Sequence, residues 1–239
     1  TNVGAIDPIG EIADVCQEFN LWFHVDGAYG GIVGLDPAYT KMTRALNRVN
    51  SLTLDPHKWL QVPLDCGALL VRDSRVNKEN YSLVPDYLAN ADPEEKFAPD
   101  PWEHMFELTF ADRSLKTWAS IARLGREGVR DLVINCNNMA RLLEELVEKS
   151  DTLELLSPAS VSTINFRYLP EAKDMSTEAL DALNQQISDA ITDSGEAHIP
   201  TTKVNGVVSL RACFLHYENC EEDVHHLVAL VQQFGKKYK

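Results

Sequence analysis

The feature that most constrains this chain is a short, largely apolar run, Leu21-Trp22-Phe23-His24-Val25, that stops at Asp26 and a small-residue turn, Gly27-Ala28-Tyr29-Gly30-Gly31. A run of this length bounded by glycine predicts a buried strand of a parallel sheet. Ahead of it, Ile9, Ile12, Ala13, Val15, Cys16 and Phe19 recur at helical spacing over 9–19. A second short strand is expected over 51–54, stopped by Asp55-Pro56, and a third over 66–72. Helix and strand in alternation point to an α/β fold. In open α/β sheets ligands lie at the carboxyl ends of strands. Two segments occupy such ends: the stretch from His24 to Gly31, and Asp55-Pro56-His57-Lys58-Trp59.

Beyond these strands the character changes. An acidic, proline-bearing stretch over 89–101 has no periodicity and reads as a long functional loop. Helices are expected over 113–124 and 129–149, the second with Leu132, Val133, Cys136, Met139, Ala140, Leu143 and Val147 on one stripe. Strands at 152–156, 162–168 and 207–214 alternate with helices at 177–192 and 221–237, which suggests a smaller α+β domain with an antiparallel sheet. The boundary is placed near Gly125–Gly128, dividing the chain into 1–126 and 127–239.

Composition narrows the partners. The formal charge of −14 repels phosphate backbones, so nucleic acid is not an expected partner. No apolar run approaches the ~20 residues of a membrane span, and the opening Thr-Asn-Val-Gly has no signal-peptide character. Five scattered cysteines without a C-x-x-C pair argue against a disulfide framework or a metal site and suit a reducing cytoplasm.

An acid and a lysine at two strand ends, 32 positions apart, leave room for a helix and a second strand, so both could face one pocket. That pair suits pyridoxal phosphate. The lysine amine forms a Schiff base with the aldehyde, and the carboxylate keeps the pyridine nitrogen protonated, which makes the ring an electron sink. The residues alone equally allow Asp26 as a turn or capping group and Lys58 as a solvated charge.

His24-Val-Asp-Gly-Ala-Tyr-Gly-Gly followed by Asp55-Pro-His-Lys-Trp-Leu resembles the pyridoxal-phosphate-dependent group II amino-acid decarboxylases, which include the aromatic-L-amino-acid, tyrosine and glutamate enzymes. The segments Thr1–Ile9, 113–118 and 210–213 are similar to further landmarks of that family. The resemblance implies a fold-type I, aspartate-aminotransferase-like α/β chain. It would hold the C-terminal part of the large cofactor-binding domain, with a mobile loop at about 89–108, and the small domain. It implies that Lys58 binds pyridoxal 5'-phosphate, Asp26 pairs with the pyridine nitrogen, Ala28 packs against the ring and His57 reaches the phosphate. Thr1 would lie near the cofactor, and Arg211 would hold the substrate α-carboxylate.

In many such enzymes a loop tyrosine reprotonates the substrate carbon. The corresponding stretch here, 100–104, has none, Tyr87 lies upstream, and His104 is the candidate donor. The resemblance also implies a C-terminal fragment. It would need an N-terminal fragment as a separate chain, a homodimer of the assembly, and a small-molecule amino acid as substrate. The expected activity is decarboxylation to the amine and carbon dioxide. An aldehyde synthase or carbon–carbon lyase on the same scaffold, or a non-catalytic subunit, are the alternatives.

Overall fold

The computed structural model describes residues 1–82, 103–105, 107, 109–170 and 175–238. The acidic stretch over 89–101, Tyr87, and Asp100 to Trp102 lie outside the described residues. In chain order the elements are α1 (Ile9–Glu18), β1 (His24–Asp26), α2 (Thr40–Thr43), β2 (Ser51–Leu54), β3 (Ala68–Val71), α3 (Ser74–Tyr81), α4 (Ser114–Glu148), β4 (Leu153–Ser160), β5 (Thr163–Tyr168), α5 (Thr177–Ser194), β6 (Thr201–Val204), β7 (Val207–Cys213) and α6 (Glu221–Lys237). Tight 3-10 turns at Gly30–Leu35, Pro37–Tyr39 and Arg44–Arg48 link the early elements. Helix α4 is interrupted at Gly125, whose φ of 65° and ψ of 175° no helix accommodates. Among the described residues no helix is long and apolar enough to cross a membrane.

The chain divides into two compact units. One comprises Ile9–Gly31 and Thr43–Arg123; the other comprises Thr1–Pro8, Ile32–Met42 and Leu124–Lys239.

The first unit carries a three-stranded sheet in the order β1-β2-β3. Strands β1 and β2 run parallel, with His24 opposite Ser51, Val25 opposite Leu52 and Asp26 opposite Thr53. Strand β3 returns antiparallel to β2. The expectation of a buried parallel strand holds for its direction and is corrected for its burial among the described residues. Only His24–Asp26 pairs, His24 and Asp26 are exposed, and Leu21 and Trp22 are 56% and 50% exposed. The reason is position: among the described residues β1 has a strand on one side only, so the apolar run that precedes it borders an open sheet edge.

The second unit is built on an antiparallel sheet in the order β4-β5-β7-β6. The expected order lacked one strand. Strand β6 joins β7 through Asn205-Gly206, both at positive φ (51° and 85°), the pairing typical of a two-residue hairpin turn. Strand β5 is the centre of this core: Ile164, Phe166 and Tyr168 are at most 1% exposed. Helix α6 crosses close enough that a Cβ on Gly235 would stand 2.6 Å from the Tyr168 ring. Helix α5 starts at Ser176, whose side chain accepts from Ala179 N–H, and stops at Gly195 in the left-handed region. Its buried Asn184 accepts from Tyr168 N–H and donates to Tyr168 O, satisfying the polar end of β5. The apolar stripe of α4 anticipated from the sequence is buried throughout, and burial pushes the Cys136 thiol up to about 12.

One polar cluster ties the discontinuous pieces of this unit together. Asp36, 4% exposed, caps the Pro37–Tyr39 turn by accepting from Ala38 N–H at 2.9 Å. Its other oxygen accepts from Asn137 Nδ2 at 2.8 Å and Arg141 Nη2 at 3.1 Å, both on α4. Burial alone would raise the Asp36 pKa, but the hydrogen bonds from Ala38, Asn137 and Arg141 outweigh it and hold the carboxyl below its ordinary value. Asp36→Ala is therefore expected to cost about 3 kcal/mol, because it strands Asn137 and Arg141 without their acceptor. With a depressed folded value, the stabilisation is present above the unfolded carboxylate value of ~3.9 and is lost as pH falls through the folded one. Urea denaturation at stepped pH checks both: the wild-type advantage over Asp36→Ala should shrink only on the acid side.

Candidate active site

Because β1 and β2 are adjacent and parallel, their carboxyl ends lie side by side, and the loops that leave them meet. Asp55 N–H, just beyond β2, donates to Ala28 O, just beyond β1, at 3.3 Å. Asp26 ends β1, and its Oδ1 accepts from Ala28 N–H at 3.0 Å, so the carboxylate is fixed by the turn it starts. That turn is tightly packed: a Cβ on Gly27 would lie 2.7 Å from Leu52 Cδ1 and 2.9 Å from Thr53 O.

The loop after β2 is equally constrained. Lys58 N–H donates to Asp55 O at 2.9 Å, His57 N–H to Cys66 O at 3.4 Å and Val62 N–H to Pro56 O at 3.1 Å. Trp59 is 1% exposed and meets the Tyr29 ring edge-on at 5.6 Å, which pins the residue after Lys58 to the turn after Asp26. Cys66 N–H donates to His57 Nδ1 at 3.0 Å, so the other ring nitrogen, Nε2, carries the hydrogen and is the outward donor. The Lys58 amine stays partly open to solvent and pairs at 2.8 Å with Asp55 Oδ2, which also lies 3.7 Å from His57 Nε2.

The N-terminus of α4 braces this loop. Lys116 Nζ donates to Pro63 O and Asp65 O, Arg113 pairs with Asp65 at 2.8 Å, and Thr117 Oγ1 lies 3.2 Å from Cys66 Sγ. On the face of the sheet that His24 shares with Asp26, Ser51 Oγ accepts from Trp22 Nε1 at 3.0 Å and sits 2.8 Å from His24 Nδ1. A hollow of ≈ 470 Å³ beside this cluster is lined by Trp22, His24, Leu69 and Tyr81, among others, and not by Asp26 or Lys58.

Asp26 and Ala28 thus lie at the carboxyl end of β1 and His57 and Lys58 in the loop after β2, two segments of the first unit joined by the Asp55 N–H to Ala28 O bond. Thr1 and Arg211 come together in the second: Arg211 Nε donates to Asn2 O at 3.0 Å and Nη2 to Thr1 O at 3.3 Å. Asn165 Nδ2 also donates to Asn2 O, and Ser160 Oγ to Gly4 O, so the opening residues lie along the small sheet. His104 is half-buried beside Glu103, whose buried carboxylate pairs with Lys78 at 3.1 Å. Asp55 was not singled out from the sequence, although an acid three residues before a lysine in a tight turn was the available signal.

The donor set at the β1–β2 edge fits pyridoxal phosphate: a primary amine for the aldehyde, a carboxylate for the ring nitrogen, an imidazole N–H for the phosphate, and a methyl of the size a flat ring tolerates. Among the described residues no group of His, Cys, Asp and Glu is placed to hold a metal ion.

The family model described as the pyridoxal-dependent decarboxylase conserved domain matches residues 1–169. An aromatic-L-amino-acid decarboxylase of Bacillus atrophaeus is 29% identical over 99% of this chain and 49% of its own length. A phenylacetaldehyde synthase of a Rosa hybrid cultivar is 30% identical over 88% of this chain and 42% of its own length. The crystal structure of Oryza sativa TDC with PLP and tryptamine superposes with a TM-score of 0.89 at 27% identity, covering 100% of this chain and 49% of that one. The chain spans about half the length of the curated relatives it matches.

Gly27→Ala is expected to destabilise the protein by about 1–3 kcal/mol, since its new methyl meets backbone as well as a side chain. A shifted urea midpoint checks it; an unchanged midpoint would mean the turn is looser than described.

Proposed function

Because the chain belongs to the pyridoxal-dependent decarboxylase family, we propose that it forms the cofactor-anchoring part of an enzyme that removes the α-carboxyl group of an L-amino acid as carbon dioxide, leaving the amine. The observation that carries this reading is that Asp26 ends one strand and Lys58 lies in the loop that leaves its parallel neighbour, with the two outgoing segments tied through Asp55 and Ala28. When bound, pyridoxal phosphate supplies an electron sink for the pair of electrons left as carbon dioxide departs.

The chain's own residues supply anchoring and charge. Lys58 would hold the cofactor at its aldehyde carbon, and Asp26 would keep a proton on the pyridine nitrogen. Ala28 would lie against the ring, and His57 would offer its Nε2 hydrogen to the phosphate. Arg211 would receive the substrate carboxylate, with Thr1 close to the cofactor; its hold on the Thr1 and Asn2 carbonyls supports a guanidinium kept at a fixed place. His104 would return a proton to the substrate carbon.

The assembly would include a further polypeptide equivalent to the N-terminal half of the relatives, would act as a homodimer, and would work in the cytoplasm. Support for the further polypeptide comes from the first unit, where Phe19, Leu21, Trp22, Leu69, Leu70, Leu115 and Trp118 are each at least half exposed. A second reading, an aldehyde synthase, is favoured by the Rosa relative. Products separate the two: amine and carbon dioxide for the first, against aldehyde, carbon dioxide, ammonia and hydrogen peroxide at the expense of oxygen and water for the second.

In the complete assembly, borohydride reduction should fix the cofactor on Lys58, as read by peptide mass. Lys58→Ala should abolish that label, and a label that persists elsewhere with activity intact would remove Lys58 from the site. Asp26→Asn should keep bound cofactor but lower kcat on the order of 100-fold, and near-normal turnover would remove its electrostatic role.

A further inference from the structure

Lys58 has a partner within its own loop. Its amine is 2.8 Å from Asp55 Oδ2, and the same oxygen lies 3.7 Å from His57 Nε2. The acid is firmly placed. Its side chain is 18% exposed, against 33% for Lys58. Its backbone is held on both sides, N–H to Ala28 O and C=O from Lys58 N–H. Gly67 lies alongside, where a Cβ would already be 3.4 Å from Asp55 Oδ1. A carboxylate fixed in this way pairs directly with the amine that the site offers to the aldehyde and stands 3.7 Å, beyond hydrogen-bond reach, from the imidazole nitrogen that it offers to the phosphate.

We propose that Asp55 is a positioning residue whose carboxylate restrains the Lys58 amine and sets a negative charge beside His57, so that a cofactor must compete with it for the lysine. The inference rests on the reading of Lys58 as the cofactor lysine. To attack an aldehyde, the amine must leave the carboxylate and present a lone pair, so the ion pair restrains capture. A phosphate approaching His57 Nε2 meets a fixed negative charge, so Asp55 restrains a phosphorylated aldehyde more than a neutral one. It acts through Lys58 and His57 and takes no part in bond making.

Capture can be measured without turnover. The Lys58 nitrogen attacks the aldehyde carbon, the carbonyl oxygen leaves as water, and hydride from borohydride reduces the C=N bond to a stable secondary amine. In the complete assembly stripped of cofactor, the rate of this labelling is read by peptide mass, with exposed Lys41 as internal reference. Asp55→Asn should speed labelling of Lys58 by pyridoxal phosphate about tenfold. The gain with pyridoxal, which lacks the phosphate, should be smaller, and Lys41 should not change. Asp55→Glu, which keeps the charge, should stay near the wild-type rate, while Asp55→Ser should repeat the acceleration should the asparagine variant fold poorly.

Wild-type labelling rates for both aldehydes in both neutral variants would overturn the proposal, as would equal acceleration by the two aldehydes. Failure of the underlying reading looks different: the wild-type protein would then label Lys41 but never Lys58.

Discussion

Everything distinctive about this chain depends on the parallel pairing of two very short strands. Three residues of β1 lie beside β2, and that register alone sets Asp26 next to Thr53 and lets the two outgoing loops bond to each other. Without it, the acid and the amine would be two surface charges far apart in sequence. Parallel strands both end at the same edge, so two loops that carry polar groups meet there without crossing an apolar layer.

The loop after β2 shows how a flexible residue is held at such an edge. Lysine has a long, freely rotating stem, and its placement depends on the backbone beneath it. Here the backbone is closed by bonds from His57, Lys58 and Val62, by the bond from Cys66 N–H to the His57 ring, and by the burial of Trp59. Lys116 at the start of α4 and Arg113 just before it add three hydrogen bonds. Rigidity of this kind concentrates the remaining freedom in the terminal atoms of Lys58, where chemistry needs it. It also makes the neighbouring carboxylate of Asp55 matter, because a fixed charge at 2.8 Å acts on the amine continuously.

Different physics governs the second unit. Its sheet is covered by helices, its central strand is almost fully enclosed, and several of its buried polar groups are paired, as Asn184 with Tyr168 and Asp36 with Asn137 and Arg141. Arg211 and Thr1, at opposite ends of the sequence, meet because the opening residues run along this sheet and give their carbonyls to side chains of β5 and β7. No local pattern announces such a meeting; it follows from the folding of the whole unit.

Periodicity and glycine placement made α1, β2, the stripe of α4, α5 and α6 legible, because a single apolar face or a single cap sets each of them. Strand β6 was missed although Asn205-Gly206 marks its turn, since Thr201–Val204 carries too few apolar residues to stand out. Leu21 and Trp22 misled for the converse reason: apolar character states a need for cover, and their half exposure in this unit comes from lying beside an edge strand. The residue types at Asp26 and Lys58, and the strand ends that bear them, were determined by the sequence alone. The tie between their two segments, the pairing of Lys58 with Asp55, and the hold of Arg211 on Thr1 were decided only by tertiary structure, because each depends on strand register and through-space distances that local spacing does not encode.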